Sequence, residues 1–144
     1  MGNADNSAKG AHFEALVRAY FQGQGLDLHP SHAVLVGASS PLRPHRFDLG
    51  SDTPPVLVEC KSHTWTGGGN APSAKLSVWN EAMLYFMVAP PHYRKILVAL
   101  DDRRGLELLA EHYVKRFGHL VPTGVEIWEL ASDGRDGRLV HKGA

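Results

Sequence analysis

Asp48, Glu59 and Lys61 are the residues of this chain whose types and spacing can do chemistry together. Asp48 lies in the run His45-Arg46-Phe47-Asp48-Leu49-Gly50, and Glu59 and Lys61 lie in the run Val56 to His63. Between the runs stands Ser51-Asp52-Thr53-Pro54-Pro55, a cluster of turn formers, so the segment reads as an antiparallel hairpin. The midpoint between Asp48 and Glu59 falls at Thr53–Pro54, which makes the two carboxylates direct cross-strand partners, Cβ atoms roughly 4.5–5.5 Å apart. Lys61 shares the face of Glu59, while Phe47, Leu49, Val58 and Cys60 are expected together on the other face. Two adjacent carboxylates repel, and a divalent cation removes the repulsion: Asp48 and Glu59 suit Mg²⁺, which takes one or two carboxylates with waters and phosphate oxygens. A lysine beside them can hold an attacking water or stabilise charge developing on a phosphate. The bland alternative is a solvated hairpin face on which Lys61 makes ordinary ion pairs.

The elements that must position these residues follow from periodicity. Ala8 to Gln22 reads as an amphipathic helix with Asp5, Asn6 and Ser7 as caps and Phe13, Leu16, Val17, Tyr20 and Phe21 inward. Glu14 sits at the edge of that stripe; it either faces inward, with Gly10 admitting another backbone, or pairs with Arg18 one turn on. His32 to Ala38 reads as a strand, followed by the hairpin and then by Thr64 to Pro72, whose three consecutive glycines let the backbone approach a ligand. That loop lacks the Gly-Lys-Ser/Thr ending of a nucleotide P-loop.

Ser73 to Val88 reads as a helix capped by Ser73 or its neighbours and ended by Pro90-Pro91, with Leu76, Trp79, Ala82, Met83, Phe86 and Met87 apolar. Lys75 falls on that apolar face in the first turn. Either its stem lies over Trp79 to reach water, or the helix start lines a site that wants positive charge. Arg94 to Leu100 is apolar on both faces and reads as a central strand. A solvated turn at Asp101 to Gly105, a helix over Leu106 to Phe117 and a strand over Val125 to Leu130 follow, with a turn-rich tail that suggests a last hairpin. The expected architecture is one α/β domain over 1–144, a three-layer α/β/α sandwich on a central mixed sheet, in the order α-β-β-β-α-β-α-β.

Composition narrows the class. Fifteen basic and fifteen acidic residues cancel, which excludes a strongly basic nucleic-acid sponge but not a local basic patch. Nine histidines are scattered without zinc-ligand spacing, and a single cysteine, Cys60, reads as a buried apolar residue in a reducing cytoplasm. The polar stretch Met1 to Gly10 does not read as a signal peptide and no run approaches membrane-spanning length, so a cytoplasmic protein without a membrane partner is expected.

Asp48 followed by Glu59-Cys60-Lys61 at the end of an apolar strand resembles the PD-(D/E)XK nuclease superfamily, the restriction-endonuclease-like fold. The order helix, three strands, helix, strand resembles that family's core, and the likeness spans Gly10 to Leu100. It departs in one place, where Phe47 rather than proline precedes the aspartate. The resemblance implies a Mg²⁺-dependent endonuclease acting on DNA, with Mn²⁺ as a substitute. It implies metal ligands Asp48, Glu59 and the backbone carbonyl of Cys60, catalytic Lys61, and Glu14 holding a second metal or its waters. Lys75, on the second helix, is the implied substrate-binding residue, and His63, Trp65 and Asn70 lie on the way out of the site, where they are also read as substrate contacts. For His63 and Trp65, ordinary exposure and packing are the alternatives.

The opening Lys9-Gly10-x-x-x-Glu14 is similar to that of archaeal-type Holliday-junction resolvases, which are dimers, although neutral charge suits a four-way junction poorly. A twofold homodimer suits any double-strand cutter, and a protein partner that supplies DNA binding is equally compatible. The alternative from another class is a non-catalytic restriction-endonuclease-like module that binds nucleic acid or protein.

Overall fold

The computed structural model describes residues 3–144, with side chains described from Ser7 onward. The first ladder joins β1 (His29–Val36), β2 (Arg43–Asp52) and β3 (Pro55–Lys61) as an antiparallel meander. Helix α2 (Ser73–Val88) then carries the chain to β4 (Arg94–Leu100), which lies parallel to β3. A two-stranded ribbon, β5 (Arg103–Arg104) and β6 (Glu107–Leu108), precedes α3 (Leu109–Phe117). Strand β7 (Glu126–Leu130) is parallel to β4, and β8 (Gly137–Lys142) closes the sheet as an antiparallel edge. The result is one six-stranded mixed sheet in the order β1-β2-β3-β4-β7-β8.

Two apolar clusters place the helices. Phe13, Val17 and Phe21 of α1 (Asn3–Gly23) pack on Leu49, Val56, Val58, Ile96 and Val98. On the opposite face, Trp79 and Phe86 of α2 and Leu109 and Tyr113 of α3 pack on Phe47, Leu57, Leu97, Ala99 and Ile127. The sheet is therefore covered on both sides, which is why β3 and β4 are apolar in nearly every position. Each large apolar side chain fully buried here contributes about 1.5–3 kcal/mol.

Several sequence expectations are corrected by packing. Helix α1 is already under way at Asn3, so Asp5, Asn6 and Ser7 lie inside it rather than capping it, while Met1 and Gly2 lie outside the described residues. Gly10 has no neighbour within 4 Å of where a Cβ would stand, so no backbone uses the space it leaves. Arg18 donates from Nε to the carbonyl of Leu28 at 2.9 Å and is engaged there, not with Glu14. Helix α2 has the expected bounds, but Pro72 occupies its cap position with no side-chain hydrogen bond, and Met87 is exposed.

β1 starts three residues earlier than expected and ends at Val36, because His29 and Pro30 pair with Gly50 and Leu49. Leu106 is 95% exposed rather than inward, because Gly105 and Leu106 form the tip of the β5–β6 ribbon, Gly105 at a φ of 62°. Asp102 is not merely solvated: its Oδ2 accepts the Trp65 amide at 2.7 Å and its carbonyl accepts Trp65 Nε1–H at 3.1 Å.

One ion pair ties the sheet together at its centre. Arg94 at the start of β4 grips Glu126 of β7 in a two-pronged contact, 2.8 and 3.0 Å. Glu126 is 7% exposed and also accepts Trp128 Nε1–H, and its carboxyl stays below the ordinary range because these donors outweigh the cost of burial. Arg94→Ala is expected to cost about 2 kcal/mol in urea unfolding, since it strands a buried carboxylate with one neutral donor.

Candidate functional site

The β2–β3 hairpin has the register expected from its turn. Asp52 pairs with Pro55, Ser51 with Val56, Gly50 with Leu57 and Leu49 with Val58. Beyond Leu49 the backbone ladder stops, and the Asp48 side chain takes over: its Oδ2 accepts the Cys60 amide hydrogen at 2.8 Å. The strands splay at this point, and β2 changes face across Asp48. Phe47 stacks on Phe86 of α2 with ring centroids 5.6 Å apart, whereas Leu49 belongs to the α1 cluster. The expected single apolar face of Phe47, Leu49, Val58 and Cys60 is thus divided between both layers. Ser31, opposite this break on β1, stands at a φ of 53°.

The break is what gathers the acids. Asp48 lies within hydrogen-bonding reach of Glu59 on its neighbouring strand and of Glu14 on α1. Glu59 is 8% exposed; burial first, then the Asp48 carboxylate, pushes its pKa up to about 9. Glu14 is half-buried, and its pKa is raised by burial and then by Asp48. Lys61 supplies the positive charge that opposes the shift of Glu59. Three carboxyls facing one ammonium form an acid excess in a low-dielectric place, and it must hold protons or gather a cation.

That excess fits a hard divalent ion. Asp48 and Glu59 offer oxygens, and Cys60, between Glu59 and Lys61 on β3, offers its carbonyl; its thiol is pushed up by burial and remains neutral. Among the described residues, however, no three His, Cys, Asp or Glu side chains stand together as a ready-made ligand set. Asp48 meets each glutamate pairwise without the three closing on one point. Magnesium tolerates such a site, because waters and phosphate oxygens complete its shell.

Two further groups frame the site. His45 stacks on Tyr85 at 3.6 Å and directs Nε2 toward Glu59 Oε1 at 3.5 Å, too long for a hydrogen bond, leaving that buried nitrogen without a partner. Burial lowers its pKa against the pull of Asp48 and Glu81. Alternation counted from Asp48 puts His45 on the far side; the change of face at Asp48 brings it round, so no sequence signal marked it. Its cleft, about 60 Å³, also exposes Glu59, Lys61 and Glu81.

Past Lys61 the chain turns toward α2. Trp79 Nε1–H donates to His63 Nδ1 at 2.8 Å, and burial, then Lys61, Lys75 and Lys9, push the His63 pKa down to about 4. Lys75 is exposed at the mouth of this region instead of on the buried face. Trp65 is packed: Arg104 covers its ring at 4.1 Å and Asp102 holds both its nitrogens, so it braces the loop and offers no stacking face. Asn70 closes the glycine loop on Thr66 and stays exposed. Arg104 pins the same loop through the Gly69 carbonyl at 2.7 Å.

Asp48 thus meets Glu14 and Glu59 pairwise with Lys61 in their field, His63 and Lys75 line the adjoining cavity with Lys9, and Trp65 and Asn70 serve the loop. None of the described helices is long and apolar enough to cross a membrane. No protein-family model matches the chain, and no curated protein or solved structure gives a significant match to it.

Proposed function

We propose that the chain is a divalent-metal-dependent endonuclease that hydrolyses DNA phosphodiester bonds on a restriction-endonuclease-like fold. The observation that carries this reading is the approach of Glu14 from α1 and Glu59 from β3 to Asp48 of β2, with Lys61 as the nearby positive charge. The antiparallel β1–β2–β3 meander followed by a helix and a parallel β4 supports the fold.

Asp48, Glu59 and the Cys60 carbonyl would hold Mg²⁺ or Mn²⁺, with Glu14 reaching its waters. When bound, the ion neutralises phosphate charge and acidifies water. The protein supplies the rest. The Cys60 amide fixes one oxygen of Asp48 and leaves the other for binding. Burial of Glu59 lowers the local dielectric, so Lys61 acts on a developing phosphate charge with little screening. Lys61 Nζ, as an ammonium, would orient the attacking water by donating a hydrogen bond to it.

Supercoiled plasmid with Mg²⁺ or Mn²⁺ tests the reading. Wild type is expected to nick or linearise it, and Lys61→Ala to lose about 10³-fold in rate while melting like the parent. Equal rates in both proteins overturn it. A chain that binds DNA without cutting, and shows no Asp48-dependent metal uptake by calorimetry, would be the non-catalytic module instead.

A further inference from the structure

A cavity of about 410 Å³ opens directly beyond Lys61, between α1 and the start of α2. Lys9 of α1 and Lys75 of α2 stand on its wall, and the segment leaving β3 adds Ser62, His63, Thr64 and Thr66. No acidic side chain lines it. None of Lys9, Lys61 and Lys75 makes an ion pair among the described residues. All three act on His63, so their charges converge there. Because His63 Nδ1 accepts from the fully buried Trp79, the neutral ring carries its proton on Nε2 and presents a donor. Helix α2 begins at this cavity with no capping side chain and no acid in its first turn, which adds the positive end of its dipole.

Donors, cations and hydroxyls without an acid specify an anion, and two lysines beside an uncapped helix N-terminus suit a phosphate. Size then limits how that phosphate arrives. The volume falls in the range of a small-ligand pocket and suits about one nucleotide. In a duplex, phosphates ride on a convex backbone and bases stay stacked inside; a concave cavity encloses a nucleotide only after it leaves the stack. Trp65 lies in the wall with its ring already covered by Arg104, so recognition rests on phosphate and edge contacts and not on stacking.

We infer that this cavity takes one unpaired nucleotide of the substrate strand, its phosphate between Lys9 and Lys75, next to the bond presented to Lys61. The substrate class is then single-stranded DNA or DNA with an unpaired stretch, in preference to intact duplex. Calling that strand a substrate rests on the nuclease reading; the binding itself does not.

The test is therefore made in EDTA. Calorimetry compares thymidine 5′-monophosphate with thymidine, and fluorescence anisotropy compares a short labelled single strand with the same sequence as a duplex. The phosphate and the single strand are each expected to bind at least about tenfold tighter than their counterparts. Both advantages should fall below about threefold in Lys9→Ala/Lys75→Ala, with its melting temperature unchanged. Equal binding of nucleotide and nucleoside overturns the site. Nucleotide binding without single-strand preference overturns its assignment to an unpaired strand and leaves a free-nucleotide pocket. Absence of plasmid cleavage in Mg²⁺ would overturn the nuclease reading while these binding results stand, so the two failures are distinguishable.

Discussion

Glu59→Gln is expected to make the metal-free protein more stable at alkaline pH and to remove most of the loss that wild type shows between pH 6.5 and 9. The folded pKa of Glu59, about 9, lies above its ordinary 4.5. Its contribution is therefore full below 4.5 and is lost as pH climbs toward 9. The opposite case is His63, whose folded pKa of about 4 lies below its ordinary 6.5: its contribution is full above 6.5 and lost as pH falls toward 4. Folded His63 is neutral above pH 6.5 and the tail of its unfolded-state titration is common to both proteins, so their difference across the window from 6.5 to 9 isolates the carboxyl cluster. Across it, linkage predicts a difference between wild type and Glu59→Gln on the order of 3 kcal/mol. Thermal melts should show this as roughly 6–12 °C for a chain of this size. Burial of Cys60 and Lys95 adds slopes common to both proteins, which the comparison cancels. Mg²⁺ at pH 8 should stabilise wild type by about 2.7 kcal/mol at a hundred times its dissociation constant, read as a higher melting temperature, and should leave Glu59→Gln nearly unmoved. A wild type whose stability is flat from pH 6.5 to 9 would show that the acids are not held as described.

Asp48→Asn is expected to be the more stable and the inactive protein. The asparagine oxygen can still accept the Cys60 amide hydrogen that Asp48 Oδ2 accepts at 2.8 Å, so the splayed end of the hairpin keeps its brace. Its amide would donate toward Glu14 or Glu59, where the aspartate repels them. In EDTA at pH 8 a gain of about 1–2 kcal/mol follows, because without the Asp48 charge the buried glutamates are held less far above their ordinary pKa. On the proposed nuclease reading the same change removes an anionic metal ligand, so plasmid cleavage should fall at least about 10³-fold with metal uptake weakened in calorimetry. Gain in stability with loss of activity is the signature of a site whose charges are kept for function. Retained cleavage in Asp48→Asn would remove Asp48 from the machinery, whatever the melt shows.

Local chemistry made much of the fold legible. The apolar run of β4 sits at the sheet centre as its two-sided pattern requires, and α2 occupies Ser73–Val88 between its glycine loop and Pro90-Pro91. The hairpin register followed from turn residues alone, since the two residues at its tip, Thr53 and Pro54, set every pair behind them. For the same reason Asp48, Glu59 and Lys61 could be named together before any fold was known. Errors fell where a distant partner outweighed the local pattern. Leu106 left its helix because Arg103–Arg104 paired with Glu107–Leu108, and Arg18 left Glu14 because the Leu28 carbonyl was closer to hand.

What the sequence determined by itself is the hairpin register from Asp52–Pro55 to Leu49–Val58, which leads Asp48 toward Glu59, because turn chemistry is a local rule. Tertiary structure alone decided how that pair is used. Phe47 and Leu49, two residues apart on β2, are claimed by opposite helix layers, Phe47 with Phe86 of α2 and Leu49 with Phe13, Val17 and Phe21 of α1, so the strand changes face at Asp48. That single break opens the strand pair, turns the Asp48 side chain onto the Cys60 amide, admits Glu14 from α1 and brings His45 round to Glu59. Alternation along one strand contains no information about which helix layer will claim each residue, and so the convergence of acids could be suspected from the chain but not placed by it.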